Sequence, residues 1–253
     1  MANTAPVALI TGAARRVGRT IALALAEQGY DIAIHYHRSE DAAKTLVEEV
    51  KAHGRRAVAI AAHLEVPHQV EGLVPRAADL LGPLSLLINN ASTFKRDTAK
   101  TANYDSFLTH QQVNLYAPMA LSQAFAAQLP QQAQGNIINL SDGVYGWSMS
   151  AHFLTYSLSK FGLLSLTELL ASSLAPSVRV NAVALGPTIP GVMDTPGTFE
   201  KLASLAPLKR VSSPEEVVAA ITYLLSAPSV TGQVIYLSGG MQMGGLMRAD
   251  AAP

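Results

Sequence analysis

The sequence predicts an α/β fold in which seven parallel strands form a doubly wound sheet with helices on both faces. Three observations predict it. Short runs of aliphatic and β-branched residues alternate with longer amphipathic segments along the chain. The runs are apolar nearly throughout rather than at alternate positions, as expected where both faces of a sheet are covered. The segments between them are long enough to be the crossover helices that parallel strands require.

The first run, Val7 to Thr11, reads as a strand and leads through Thr11-Gly12-Ala13-Ala14-Arg15-Arg16-Val17-Gly18 into a helix over 14–28. Glycines here let the backbone turn tightly and approach a pyrophosphate, whose charge is favoured by exposed N–H groups and the helix dipole. The spacing is not G-x-G-x-x-G, so the turn alone leaves a plain strand-to-helix connection open. The second strand, Asp31 to Tyr36, ends in His35-Tyr36-His37-Arg38-Ser39. NAD enzymes place an acid there to bind the ribose hydroxyls. A guanidinium and a hydroxyl suit a 2′-phosphate instead, and no carboxylate repels it, so NADPH is the expected cofactor; a solvated surface Arg38 is the alternative.

A helix over 39–53, a strand from Arg56 to Ala61, a helix over 67–81 and a strand from Leu84 to Ile88 follow. After Asn89-Asn90-Ala91-Ser92-Thr93-Phe94 come a helix over 103–129 and a strand from Asn136 to Leu140. Ser141-Asp142 and a glycine-containing loop lead to a helix over 152–174, where Tyr156 and Lys160 stand four residues apart on one face. A neutral Tyr donates a proton, and a neighbouring cation favours its phenolate. Such a pair recurs by chance in chains of this composition, so its context carries the argument. Asp142 either meets Tyr156 across the loop or is a turn or cap residue. A strand from Val178 to Ala184 precedes residues 185–213, which carry Pro187, Pro190, Gly191, Pro196 and Gly197 and read as a mobile substrate lid. A helix over 214–225 and a strand from Val234 to Leu237 complete the order. Ligands of such sheets bind outside the carboxyl ends of the strands, so the loops at 11–18, 35–39, 62–65, 89–101, 141–155 and 185–213 are expected to build the site.

The 253 residues suit one large domain spanning 1–253, and no internal repeat or linker divides them. Lys+Arg equals Asp+Glu at 18 each, which is not the basic footprint of a nucleic-acid binder; a small-molecule partner is expected. With no cysteine there are no disulfides or thiolate metal sites, and the cytoplasm is the default compartment. Met1 to Ile10 lacks the pattern of a signal peptide, and no apolar run approaches the ~20 residues of a membrane span. The seven histidines lack metal-ligand spacing, so no metal is expected; His35 and His37 read as neighbouring surface side chains of one strand.

The order of the Thr11-Gly12 turn, Asn89-Asn90-Ala91, Asn114, Tyr156-x-x-x-Lys160 and Asn181 resembles the short-chain dehydrogenase/reductase family over essentially the whole chain. The resemblance implies a Rossmann-type sheet and hydride transfer from a nicotinamide. It also implies that Tyr156 is the proton donor, Lys160 binds the nicotinamide ribose and supports Tyr156, and Asn114 orders a proton-relay water. The implied cofactor contacts are Gly12, Arg16, Val17 and Gly18 in the turn, His35, Tyr36, His37, Arg38 and Ser39 after the second strand, and His63 and Leu64 after the third. Asn90, Ala91 and Ser92, Tyr156 and Lys160, and Gly186 and Thr188 complete that set. Within the family the chain is similar to pteridine reductases and bacterial dihydromonapterin reductases. Arg16 replaces a usual glycine, His35 to Ser39 and Asn89 to Phe94 resemble their segments, and Asp142 stands at the usual serine position. That likeness implies that Phe94 stacks on a pterin, that Arg16 and Ser92 help hold substrate and cofactor phosphate, and that Asp142 works with Tyr156 in protonation. The alternative for Phe94 is an ordinary loop or core aromatic.

Several residues depart from the family pattern: His63 stands where an Asp commonly contacts adenine, Leu185-Gly186-Pro187 replaces Pro-Gly, and Ser238-Gly239-Gly240 replaces Asp-Gly-Gly. The loop between Asp142 and Tyr156 is also about one residue longer than usual. The expected activity is NADPH-dependent reduction of a dihydropterin, with folates in reach. The alternatives are a carbonyl reductase acting on a 3-oxoacyl or other ketone, and a non-catalytic NADPH-binding sensor. The resemblance further implies a homotetramer, for which the apolar helix containing Phe161, Leu163, Leu164, Leu166, Leu169 and Leu170 is one candidate surface, although core packing explains most of that stripe equally well.

Overall fold

A computed structural model describes residues 5–143, 152–190 and 196–243. Part of the expected lid, part of the loop between Asp142 and Tyr156, and the start of the segment read for a signal peptide lie outside the described residues. The strands are β1 (Val7–Ile10), β2 (Asp31–Tyr36), β3 (Ala57–Ala61), β4 (Leu86–Asn89), β5 (Gly135–Asp142), β6 (Val178–Leu185) and β7 (Val234–Leu237). They form a seven-stranded parallel sheet in the order β3-β2-β1-β4-β5-β6-β7. The strand order reverses between β1 and β4, and the crevice outside their carboxyl ends is where such a sheet binds ligands.

Successive strand side chains point to opposite faces, and here both directions are buried. Ala8, Ile10, Ile32 and Ile34 pack under α1 (Arg16–Glu27), α2 (Glu40–Ala52) and α9 (Pro214–Ser226), against Ile21, Leu25, Leu46, Val217 and Ile221. Val7, Leu9, Leu87, Ile137 and Val180 pack on the other face, against Leu73, Val74, Leu121, Phe125 and Leu170. Fully buried Phe125 lies against Gly135, where a Cβ would come within 2.6 Å of its ring, so the helix rides directly on the strand. Truncating such a ring to Ala costs ~3–5 kcal/mol.

The helix expected over 67–81 divides into α3 (Pro67–Glu71) and α4 (Leu73–Leu81). Pro75 has no N–H for the Glu71 carbonyl and its ring crowds that oxygen, which explains the break. The helix expected over 103–129 is α5 (Tyr104–Gln111), a π-helical turn at Gln112–Tyr116, and α6 (Ala117–Gln128). Pro118 supplies the same disruption there, one turn beyond Asn114. The expected lid contains a regular element, α8 (Thr198–Leu205), with Phe199, Leu202 and Leu205 spaced along it. α9 starts where it does because Ser213 and Glu216 form a reciprocal capping box ahead of Pro214. Among the described residues no helix is long and apolar enough to cross a membrane.

Candidate active site

The glycine turn is held from two sides. Gly12 has φ +63°, a left-handed conformation that disfavours a side chain, and its N–H donates to His35 Nδ1 at 3.0 Å. From the β4 side, Asn90 Nδ2 donates to the carbonyls of Thr11 (2.7 Å) and Gly12 (3.1 Å). The Thr11 hydroxyl accepts from the N–H groups of Asn90 (2.9 Å) and Ala91 (3.0 Å). A Cβ on Gly18 would stand 2.5 Å from the Gly12 carbonyl oxygen, so only glycine lets α1 seat so closely on the turn. The N-terminus of α1 has no side-chain cap, and Ala14 to Gly18 face the cavity. Its N–H groups and dipole are therefore available to an anion.

His35 corrects the sequence expectation of a surface side chain: it is buried beneath the turn, with Nε2 at 3.1 Å from the Ala62 carbonyl. Burial pushes its pKa down to about 4, against the opposing hydrogen bond to Ala62. The ring is thus neutral, donating from Nε2 to Ala62 and accepting from Gly12 at Nδ1. His37 is exposed, as expected, and meets His63 edge-to-face with ring centres 4.1 Å apart. Arg38 and Ser39 stand beside them on the cavity wall. Arg16, with φ +56°, reaches instead across the crevice: its guanidinium donates to the carbonyls of Ile189 (3.1 Å) and Pro190 (3.0 Å).

At the other end of the crevice β5 runs two residues further than expected, so Asp142 is its last residue, in register with Leu185, rather than part of a turn. α7 (Leu154–Ser173) brings Tyr156 over it, and the Tyr156 hydroxyl donates to Asp142 Oδ2 at 3.0 Å. One helical turn on, buried Lys160 donates to the Leu140 carbonyl at 3.0 Å and lies 5.9 Å from the Tyr156 ring centre. Burial lowers the Lys160 pKa to about 8, with Asp142 pulling it the other way, so the ammonium persists at neutral pH. Asn114 is fully buried in the π-helical turn and is absent from the cavity wall. Its side chain accepts from the Thr93 N–H (2.9 Å) and donates to the Thr93 carbonyl (3.0 Å) and to Ser159 Oγ (3.0 Å), tying the loop after β4 to the Tyr156 helix.

Phe94 is 36% exposed, stacked on Phe153 with ring centres 4.5 Å and planes 14° apart, and edge-on to Tyr156 at 4.7 Å. Sequence reasoning missed Phe153, although its place three residues before Tyr156 puts it on the same helical face. It also missed the buried cluster behind this wall. Asp97 accepts from the Thr155 N–H (3.0 Å), the Thr155 hydroxyl and the Ser106 hydroxyl (3.0 Å), while His110 accepts from the Lys95 N–H (3.2 Å). No local pattern marks that cluster, because its members come from three separate segments.

One cavity of about 980 Å³ joins the two ends, and every expected site residue except Asn114 lines it. Gly186 and Thr188 are on its wall, with the Thr188 hydroxyl held by the Gly186 carbonyl (3.0 Å) and Ser212 (2.9 Å). Among the described residues no group of His, Asp or Glu could hold a metal ion. The family model described as enoyl-(acyl carrier protein) reductase matches residues 12–242, the stretch that carries this whole cavity. The chain belongs to the short-chain dehydrogenase/reductase family. This short-chain dehydrogenase/reductase is 32% identical over 241 residues to the 3-oxoacyl-[acyl-carrier-protein] reductase FabG of Staphylococcus epidermidis, covering 93% of this chain and 98% of that protein. FolM alternative dihydrofolate reductase 1 from Brucella suis, solved in complex with NADP, is 36% identical with a TM-score of 0.87, covering 94% of this chain and 95% of that one. Its counterpart from Brucella canis, also with NADP, is 36% identical with a TM-score of 0.88 and 94% of both chains covered.

The dinucleotide of this short-chain dehydrogenase/reductase is NADP(H), and the chain is an NADPH-dependent reductase. The residues fit that group: an uncapped helix N-terminus for the pyrophosphate, then Arg38 and Ser39, with no acid from His35 to Ser39, for a 2′-phosphate.

Proposed function

We propose that this enzyme reduces a C=N bond of a dihydropterin to the tetrahydropterin. The observation that carries the reading is the Tyr156–Asp142 hydrogen bond of 3.0 Å beside the half-exposed Phe94 ring. NADPH supplies the hydride to carbon, and the nitrogen must gain a proton. Tyr156 holds a proton on its Oη, and Asp142, hydrogen-bonded to it, is placed to pass one on. Lys160, fixed by the Leu140 carbonyl, keeps a positive charge near the phenol. Phe94, backed by Phe153, offers a flat face for a heteroaromatic ring. His35 and Asn90 hold the glycine turn in shape for the nucleotide, and Arg16 bridges that turn to residues 189–190 across the crevice.

A second reading, reduction of a 3-oxoacyl or other ketone, is favoured by the relationship to the 3-oxoacyl reductases. Asp142 would then only orient Tyr156. An NADPH-oxidation panel of dihydrobiopterin, dihydromonapterin, dihydrofolate and simple ketones separates the two. Pterin turnover well above ketone turnover is expected, and ketone turnover alone would overturn the proposal. The exposed Phe161 and Leu169 on α7 favour assembly as a homotetramer, which sedimentation velocity would read directly.

A further inference from the structure

Arg96 is a cation that neither the nucleotide nor the catalytic pair accounts for. The cavity wall carries five basic side chains, Arg15, Arg16, Arg38, Arg96 and Lys160, against two acidic ones, Glu65 and Asp142. Arg15, Arg16 and Arg38 flank the glycine turn and the end of β2, Lys160 is buried beside Tyr156, and Asp142 is engaged by Tyr156. Glu65 follows β3, on the nucleotide side. Arg96 instead belongs to the Phe94 wall. Its guanidinium carbon lies 5.7 Å from the centre of the Phe153 ring, and Phe153 in turn stacks on Phe94 at 4.5 Å. Arg96 is exposed, lines the cavity and takes part in none of the hydrogen bonds or ion pairs found among the described residues, so its donors are left to solvent or a ligand. Phe199 and Leu202 of α8 line the same cavity and add apolar surface to it.

We propose that Arg96 is a specificity residue that receives the anionic tail of the substrate. The assignment rests on the pterin reading above and extends it. With the ring to be reduced on the cavity face of Phe94 and next to Tyr156, a tail passing outward beyond the edge of Phe94 meets a guanidinium held against the buried Phe153 ring behind it. Guanidinium presents paired donors to a carboxylate or phosphate, and aromatic stacking lowers the freedom lost on binding one.

The test compares kcat/KM of the NADPH-loaded enzyme for dihydrofolate, whose carboxylates lie beyond an aromatic linker, for dihydroneopterin monophosphate, and for uncharged dihydrobiopterin, in wild type, Arg96→Gln and Arg96→Lys. For Arg96→Gln the expected result is a loss of about tenfold or more with dihydrofolate, chiefly through KM, against about twofold or less with dihydrobiopterin, the loss expected of one charge-assisted contact. Arg96→Lys should recover part of the loss, and added salt should shrink the wild-type preference. A matching loss with the phosphate ester, or in its place, identifies phosphate as an accepted tail and also supports the proposal. Equal losses on the charged and uncharged pterins, or none on either charged one, would overturn it while leaving the pterin reading intact. Wild-type enzyme inactive on all three pterins would overturn that reading and this proposal with it.

Discussion

The hydroxyl of Tyr156 and Oδ2 of Asp142 meet at 3.0 Å because the last residue of β5 and the first turn of α7 converge at the mouth of the sheet. Under the proposed pterin reading, a carboxyl there can carry a proton towards the substrate nitrogen, which a serine hydroxyl does far less readily. Asp142→Ser should therefore keep the fold and NADPH affinity but lose about 10²- to 10⁴-fold in pterin turnover, the range of general acid catalysis. Any ketone turnover should suffer less. Stopped-flow turnover, nucleotide titration and thermal melting on this one variant check the expectation. Unchanged pterin turnover would remove Asp142 from proton transfer and favour the ketone reading.

The Phe94 ring rests on Phe153 with part of its surface open to the cavity. Phe94→Ala should weaken pterin binding by about 1–3 kcal/mol, in line with aromatic platforms for bases, and leave NADPH affinity nearly intact. Calorimetric titration of both ligands reads this out. Loss of nucleotide binding or of the fold would make Phe94 a packing residue.

Arg38 stands exposed at the end of β2 with no acid among its neighbours from His35 to Ser39. Arg38→Asp should lower affinity for NADPH by about tenfold or more relative to NADH, since it removes a charge-assisted contact to the 2′-phosphate and adds repulsion. Fluorescence titration with both nucleotides measures the ratio. Equal losses for the two would mean that Arg38 does not read the 2′-phosphate.

The neutral imidazole of His35 ties the Gly12 turn to the sheet, and burial holds its pKa near 4. Unfolded, the ring titrates near 6.5. Between those values the unfolded chain binds the proton and the folded one does not, so stability falls as the pH drops. The contribution is complete above pH 6.5 and lost by about pH 4, amounting to about 3 kcal/mol. His35→Asn keeps an amide oxygen for the Gly12 N–H, gives up the Ala62 contact, and has no proton to gain. Urea unfolding across this window should show a shallower pH dependence for the variant, and parallel curves would count against the role of His35.

Much of this molecule was legible in local sequence. The strand runs fell within about two residues of all seven strands, because residues buried on both faces of a parallel sheet must be apolar whatever their neighbours. The Tyr156–Lys160 pair needed only the pitch of a helix, and Pro75, which divides the helix expected over 67–81, stood in plain view. α8 was legible too, in the spacing of Phe199, Leu202 and Leu205, but the prolines and glycines around it masked the pattern. Only the tertiary structure decided which separated segments meet. His35 is buried because β3-β2-β1 order and the return of the glycine turn close over it from the chain around Gly12 and Ala62. Asn114 is turned from the cavity wall toward Thr93 and Ser159 by the π-helical turn before Pro118. Asp142 became the end of a strand because Leu185 of β6 lies alongside it. Periodicity reports whether a residue faces apolar surroundings; the partner of a polar group across the sheet depends on strand order and register, which no window of consecutive residues contains.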